Sequence, residues 1–362
     1  MRASIGLCSI IALITASCNV NRALEKRSAK AFQSAGLTER TIKSADGERF
    51  VMQSNALTGN EKPKLLLVHG ITSSHAMWGI NLPTLSQHFD LIVPDLIGHG
   101  RTTVGWSGNS VDEQVQHLAV ILDSLKISDP VFVVGNSYGG AIAANFAEQH
   151  PDRARALVIY DGPASDYTRA MADSVARSVG AADIAALFTP TNADEQRRLV
   201  NTAFYAPPKI PRFALKQMHR KLTVQRAKHL ALLQDLLHRE AEYATKTYRW
   251  NMPVHVIWGE GDRLIPLPVG RGIVRRSGLP EDRLIIIPKA GHIANSEQKE
   301  VFETHLLRVL KDGPCPDPAV ASEGPCTKEL RPVCGCDGVT YANPCLAWRA
   351  GARVAHRGDC TR

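Results

Sequence analysis

Six of the eight cysteines lie after Asp312, and none lies between Cys18 and Cys315. No other feature constrains the fold as strongly. A long cysteine-free stretch has to be held by a packed apolar core. A segment of fewer than about fifty residues cannot bury enough apolar surface alone and needs covalent cross-links. The chain of 362 residues is therefore read as two unlike modules, one large and one small. An apolar content of 44% suits a globular protein, and there is no internal repeat or low-complexity run. The net charge of +8 reads as modest and scattered. Without a Lys/Arg block or an aromatic-interleaved basic stripe, no nucleic-acid partner is expected.

The N-terminus reads as a targeting segment. Arg2 supplies a positive start, and Ile5 to Ala16 is a mostly apolar run. That run suits the core of a signal peptide and is too short for a membrane span of about 20 residues. It ends in "ITASC", which resembles a bacterial lipobox, with Thr15 standing where Leu is usual. The resemblance implies a lipoprotein-type signal over residues 1–17, lipidation of Cys18, and a membrane partner through that anchor. Residues 18–40 are expected to form a polar tether. With Cys8 removed and Cys18 lipidated, six cysteines remain, an even set in a compartment that permits disulfides.

From Thr41 to Asp312, short apolar runs alternate with helical spacing. "KLLLVHG", "DLIVPD", "PVFVVGNS", "ALVIYDG", "PVHVIWGEGD" and "RLIIIPKAGH" read as strands buried on both faces. They predict an α/β domain, a mostly parallel sheet covered by helices such as 110–126 and 138–150. "TIKSADGERFVMQ" reads as an opening hairpin around Asp46-Gly47. Ligands of such sheets bind beyond the carboxyl ends of the strands. Those ends carry His69, Asp95, Ser137, Asp161, Asp262 and His292.

"GNSYGG", at Gly135–Gly140, fits G-x-S-x-G between a strand and a helix. The glycines permit the sharp turn that holds a serine hydroxyl at the rim, and the helix N-terminus behind it favours negative charge. With "LLLVHGITSS", "DLIGHGRT", "WGEGD" and "KAGH", residues 41–312 resemble the α/β-hydrolase fold with a helical cap. The resemblance implies Ser137 as nucleophile, His292 as general base and acid, and Asp262 as the group that orients it. It also implies an oxyanion hole from the backbone N–H groups of Ile71 and Tyr138. Asp161 also follows a strand and is the rival for the acid. His69, His99 and Asp95 are expected to hold turns. A serine at position 137 sets this chain apart from dehalogenases and epoxide hydrolases of the fold, which use aspartate there. Neither metal nor cofactor is called for.

Residues 163–250 lose the strand pattern and show helical spacing, as in Leu215, Met218 and Leu222. They are expected to form the cap. Its Lys216, Arg220, Lys221, Arg226 and Lys228 read either as solvated faces or as a site for an anionic substrate or membrane. After a Pro- and Gly-bearing linker, "CTKELRPVCGCDGVTYANPC" resembles a Kazal-type inhibitor domain spanning 315–360. The resemblance implies Cys326–Cys345 and Cys334–Cys360 pairs and a reactive bond between Lys328 and Glu329, suited to a trypsin-like protease. The family's usual cysteine is Trp348 here, and Cys336 is extra, so Cys315–Cys336 is expected to replace that bridge.

The function expected is an exported serine hydrolase, a carboxylesterase or lipase-like enzyme acting on a small ester. Hydrolysis of amide or C–C bonds on the same residues is one alternative. The other is a protease-inhibiting or binding protein with the hydrolase as scaffold.

Overall fold

The computed structural model describes residues 29–55, 62–105, 107–108, 110–311, 325–326, 328–352 and 354–360. The expected signal segment, Cys18 and Cys315 lie outside them. An eight-stranded sheet forms the large domain, in the order β1-β2-β4-β3-β5-β6-β7-β8. β1 (Leu37–Ser44) and β2 (Gly47–Ser54) make an antiparallel hairpin, and β2 pairs antiparallel with β4 (Asp90–Pro94). The remaining neighbours pair in parallel: β3 (Lys64–Val68), β5 (Val131–Asn136), β6 (Ala154–Tyr160), β7 (Val254–Gly259) and β8 (Leu284–Ile287).

Side chains alternate across this sheet. Leu66, Val68, Val133, Leu157 and Ile159 enter one apolar layer; Leu65, Leu67, Phe132, Val134 and Val158 enter the other. Two buried faces explain why the central strands read as continuous apolar runs. Each fully buried aliphatic side chain contributes about 1.5–3 kcal/mol. Helices Ser110–Ser124 and Tyr138–Gln149 cover the first layer. Helix Lys299–Lys311 covers the second through Phe302 and Leu306.

The tether expected to run through residue 40 is structured from Ala29 onward. Residues 29–34 are helical, and β1 begins at Leu37. Phe32, Ala35 and Leu37 pack into the second layer with Phe50 and Trp78. Three apolar side chains in a polar stretch do not announce a core contact; their burial depends on what the distant strands place opposite them.

Between β6 and β7 the chain forms the cap without a strand: helices Arg169–Ser178, Ile184–Phe188, Ala193–Ala203, Arg212–His238 and Glu240–Ala244. The small domain is an antiparallel sheet, β10 (Thr340–Tyr341), β9 (Val333–Gly335) and β11 (Val354–Arg357), with a helix over Pro344–Arg349. Disulfides join Cys326 to Cys345 and Cys334 to Cys360, with Cα–Cα distances of 5.6 and 4.7 Å. Cys336 is disulfide-bonded as well. Its expected pairing with Cys315 falls outside the described residues. Trp348, standing where a bridge is usual, packs against Val333, Ala347, Ala352 and Val354 and supplies apolar burial instead.

Candidate active site

The site is built at the carboxyl ends of the parallel strands. Ser137 follows β5 and precedes helix Tyr138–Gln149, with φ 55° and ψ −126°. A non-glycine residue in this region is strained by roughly 1–3 kcal/mol and persists only where its surroundings impose it. Here the Ser137 N–H donates to the Tyr160 carbonyl at 3.0 Å, which fixes the turn to β6. The turn also packs against the loop after β3. A Cβ at Gly139 would lie 2.4 Å from the His69 carbonyl oxygen, and one at Gly70 would lie 2.9 Å from the Ser137 Cβ. Only glycine lets the two loops approach this closely.

Asp262 follows β7 and His292 follows β8; both are about 5% exposed. His292 Nδ1 and Asp262 Oδ2 are 2.7 Å apart. The other Asp262 oxygen accepts the N–H groups of Leu264 and Ile265 at 2.8 and 3.0 Å. The carboxylate is thus held by backbone on one side and faces the imidazole on the other. The His292 backbone is fixed too. Its N–H donates to Ala203 of the cap at 2.8 Å, and the Tyr160 hydroxyl donates to its carbonyl at 3.3 Å. Glu297 accepts the Gly291 N–H at 2.7 Å and the N–H groups of Tyr205 and Ala206. It therefore ties the histidine loop to the cap. Nothing in the sequence singled out Tyr160 or Glu297, since a hydroxyl at a strand end and a carboxylate before a helix have many uses.

Asp161, the rival acid, is fully buried at the end of β6. Its Oδ1 accepts the Gly259 N–H at 2.8 Å, while Oδ2 has no partner. Burial, and then the Asp262 charge, push its carboxyl well above the ordinary range, which favours its neutral form. Asp161, Asp262 and His292 are the one grouping among the described residues whose ligand atoms could meet a metal, all within 4.8 Å. Asp262 and His292 are already committed to each other and to backbone donors, and Asp161 stands beside them with its Oδ1 on the Gly259 N–H.

His69, His99 and Asp95 are the scaffold of the neighbouring loops. The Leu96 N–H donates to His69 Nε2 at 3.0 Å, and the Thr72 N–H donates to His99 Nε2 at 3.2 Å. Burial lowers the His69 imidazole to about 4 and His99 well below its usual value, so both are neutral and can accept these bonds. Asp95 accepts the Arg101 N–H at 2.9 Å and the His75 N–H at 2.8 Å, joining its own turn to the loop after β3. Burial works to raise its carboxyl, but the His75 bonds prevail and hold it down at about 2.

Ser137, Ile71 and Tyr138 line one apolar cavity of about 100 Å³. Its far walls come from the cap: Ala172, Ile184, Phe188, Leu233, Leu236 and Leu237, with Arg169 and Glu240 as the charged members. An apolar cavity of about 150 Å³ can hold a benzene ring. This one suits a narrower substituent.

This fold and site define an α/β hydrolase, and a family model of the alpha/beta hydrolase fold matches residues 63–298. The chain belongs to that family. Residues 315–360 match the Kazal-type serine protease inhibitor domain, so the chain also carries a Kazal-type module. Among known proteins, a 2-hydroxy-6-oxononadienedioate/2-hydroxy-6-oxononatrienedioate hydrolase of Paraburkholderia phymatum is 27% identical, over 70% of this chain and 88% of its own length. Lipase 3 of a Moraxella species is 23% identical, over 71% and 79%. The solved structure of a membrane phospholipase A superposes with a TM-score of 0.67 at 19% identity, over 84% of this chain and 97% of that one. The disulfide-bonded module points to an extracellular, oxidising setting. Among the described residues no helix is long and apolar enough to cross a membrane.

Proposed function

We propose that the chain is an exported serine hydrolase that cleaves carboxylic esters with narrow acyl groups. The observation that carries this reading is the strained Ser137 at the wall of an apolar cavity, next to loops that hold a His292–Asp262 pair at 2.7 Å. Ser137 Oγ attacks the ester carbonyl carbon and passes its proton to His292 Nε2. Asp262 fixes the imidazole tautomer through Nδ1 and stabilises the imidazolium. The backbone N–H groups of Ile71 and Tyr138 receive the oxyanion, each worth about 3 kcal/mol of barrier. The His292 proton then leaves with the alcohol. A water, deprotonated by His292, hydrolyses the acyl-enzyme and regenerates Ser137. Cys18 is the lipid acceptor in this reading.

The test is Ser137→Ala. It should abolish turnover of a panel of chromogenic esters and covalent labelling by an organophosphonate, with the melting temperature retained. Labelling that survives the substitution removes Ser137 from the mechanism. A second reading, hydrolysis of a C–C bond next to a carbonyl, draws on the 27% identity to the dienedioate hydrolase. The dry apolar lining favours the ester, since a dienedioate brings two carboxylates that the cavity meets with Arg169 alone.

The Kazal-type module is read as an inhibitor of a trypsin-like protease, with Lys328–Glu329 as its reactive bond. Lys328, Glu329 and Leu330 are exposed, and the Asn343 side chain donates to the Glu329 carbonyl at 2.9 Å. That bond and the two disulfides pre-order the loop, which lowers the entropy lost on binding.

A further inference from the structure

The charge expected to be scattered is gathered in one place. Between Glu195 and Asp235 the sequence holds nine Lys and Arg and no Asp or Glu, whereas the rest carries 34 cationic against 35 acidic side chains. The whole net charge of +8 therefore arises in this part of the cap. The main element there is the helix Arg212–His238. Its Leu215, Leu232 and Leu233 are buried. Phe213, Lys216, Arg220 and Val224 recur every three or four residues and so share one face. All four are exposed, Phe213 by 45% and Val224 by 84%. Tyr205, Lys209 and Arg212, immediately before or at the helix start, are exposed too, as are Lys221 and Lys228. Arg212 is compensated by Asp194 at 3.1 Å.

An outward face that sets cations between exposed apolar side chains does not suit a soluble anion, which needs converging donors in a concave site. It suits a broad partner with a negative surface and an apolar interior. We propose that this face of the cap docks on a bilayer containing anionic glycerophospholipid. Phe213 and Val224 enter the headgroup boundary, and Lys216, Arg220 and their neighbours pair with phosphates. The same helix lines the cavity with Leu233, Leu236 and Leu237, which lie further along it and on another side. The docking does not depend on the ester-hydrolase reading.

The test is vesicle flotation with the full chain carrying Cys18→Ser, so that no lipid anchor contributes. Phosphatidylcholine vesicles are compared with phosphatidylcholine–phosphatidylglycerol vesicles, at low and at high salt. Binding is expected on the anionic vesicles alone and should weaken with salt. Each basic residue near an anionic surface strengthens partition roughly fivefold. Lys216→Gln with Arg220→Gln should therefore weaken it by roughly thirtyfold. Val224→Glu should weaken it as well, with melting temperatures confirming that the variants fold. Absence of binding, equal binding to neutral vesicles, or indifference to the double substitution overturns the proposal. Because flotation requires no turnover, ester hydrolysis by a chain that fails to float would refute the docking and leave the hydrolase reading standing.

Discussion

Asp262→Asn and Asp161→Asn should separate the acid that the sequence resemblance implies from its rival at the end of β6. The cluster with His292 brings their oxygens within 4.8 Å. Two ionised carboxylates at that distance would repel by about 3.5 kcal/mol at an effective dielectric of about 20. Burial first, and then this repulsion, push the Asp161 carboxyl well above its ordinary range and favour its neutral form. The charge settles where there are more donors. Asp262 faces the His292 Nδ1 and accepts two backbone N–H groups, whereas Asp161 accepts one. Asparagine at 262 keeps an oxygen for Leu264 and Ile265, so the loop should fold, but its amide cannot hold the imidazole tautomer or offset its charge. The expected loss in kcat is about 10⁴-fold, equivalent to about 5.4 kcal/mol of barrier. Asparagine at 161 mimics a neutral acid and keeps the Gly259 bond. Its kcat should stay within about threefold of the parent. The assay is steady-state hydrolysis of a chromogenic ester by variants of matched melting temperature. A larger loss for Asp161→Asn than for Asp262→Asn would refute the reasoning and move the acid to β6.

Two further outcomes follow from the same structure. Burial lowers His69, His117 and His229 to about 4, each first through desolvation. Between about pH 6.5 and 4 the unfolded chain therefore binds protons that the folded chain does not, and stability should fall with pH by up to about 4 kcal/mol per unit; a melting temperature that does not change from pH 7.5 to 5 would contradict this. Lys328→Glu should abolish inhibition of trypsin by the intact oxidised chain, because a carboxylate cannot enter a pocket that binds lysine. Inhibition unchanged by this substitution would move the reactive bond elsewhere.

The sheet was legible because burial on both faces leaves uninterrupted apolar runs, and the turn at Ser137 because close loop contact demands glycine at fixed positions. The rest was hidden for specific reasons. Phe32 gives no periodic signal; it is buried by Phe50 and Trp78, whose placement depends on strand order. Tyr160 and Glu297 act through hydrogen bonds to the segment around His292, and no spacing rule predicts such bonds. The resemblance pointed to Asp262 over Asp161, but the two backbone donors that hold its carboxylate were not readable from the sequence. The cations of the cap were visible in the sequence, but the charge was read as scattered, and its meaning required knowing which helix face is exposed.

The position of the small module bears on whether it regulates the enzyme it is fused to. Asp152 pairs with Arg331, just beyond the expected reactive bond, at 3.6 Å and with Arg357 of β11 at 3.1 Å. Arg155 reaches the Ala355 carbonyl at 3.5 Å, and the Arg357 N–H reaches Asp129 at 3.5 Å. Asp129 and Asp152 precede β5 and β6, and Arg155 lies at the start of β6. These contacts therefore lie at the amino ends of the strands. Ser137, Asp262 and His292 lie at the carboxyl ends of β5, β7 and β8. A strand of six residues spans about 20 Å, which separates the docking contacts from the cavity by roughly the thickness of the sheet layer. The contacts that hold the module are thus at the pole opposite Ser137. The ion pairs are largely exposed and contribute little individually. Asp152 holds Arg331 and Arg357 together, so Asp152→Ala would remove both pairs at once from the seam between the module and the hydrolase.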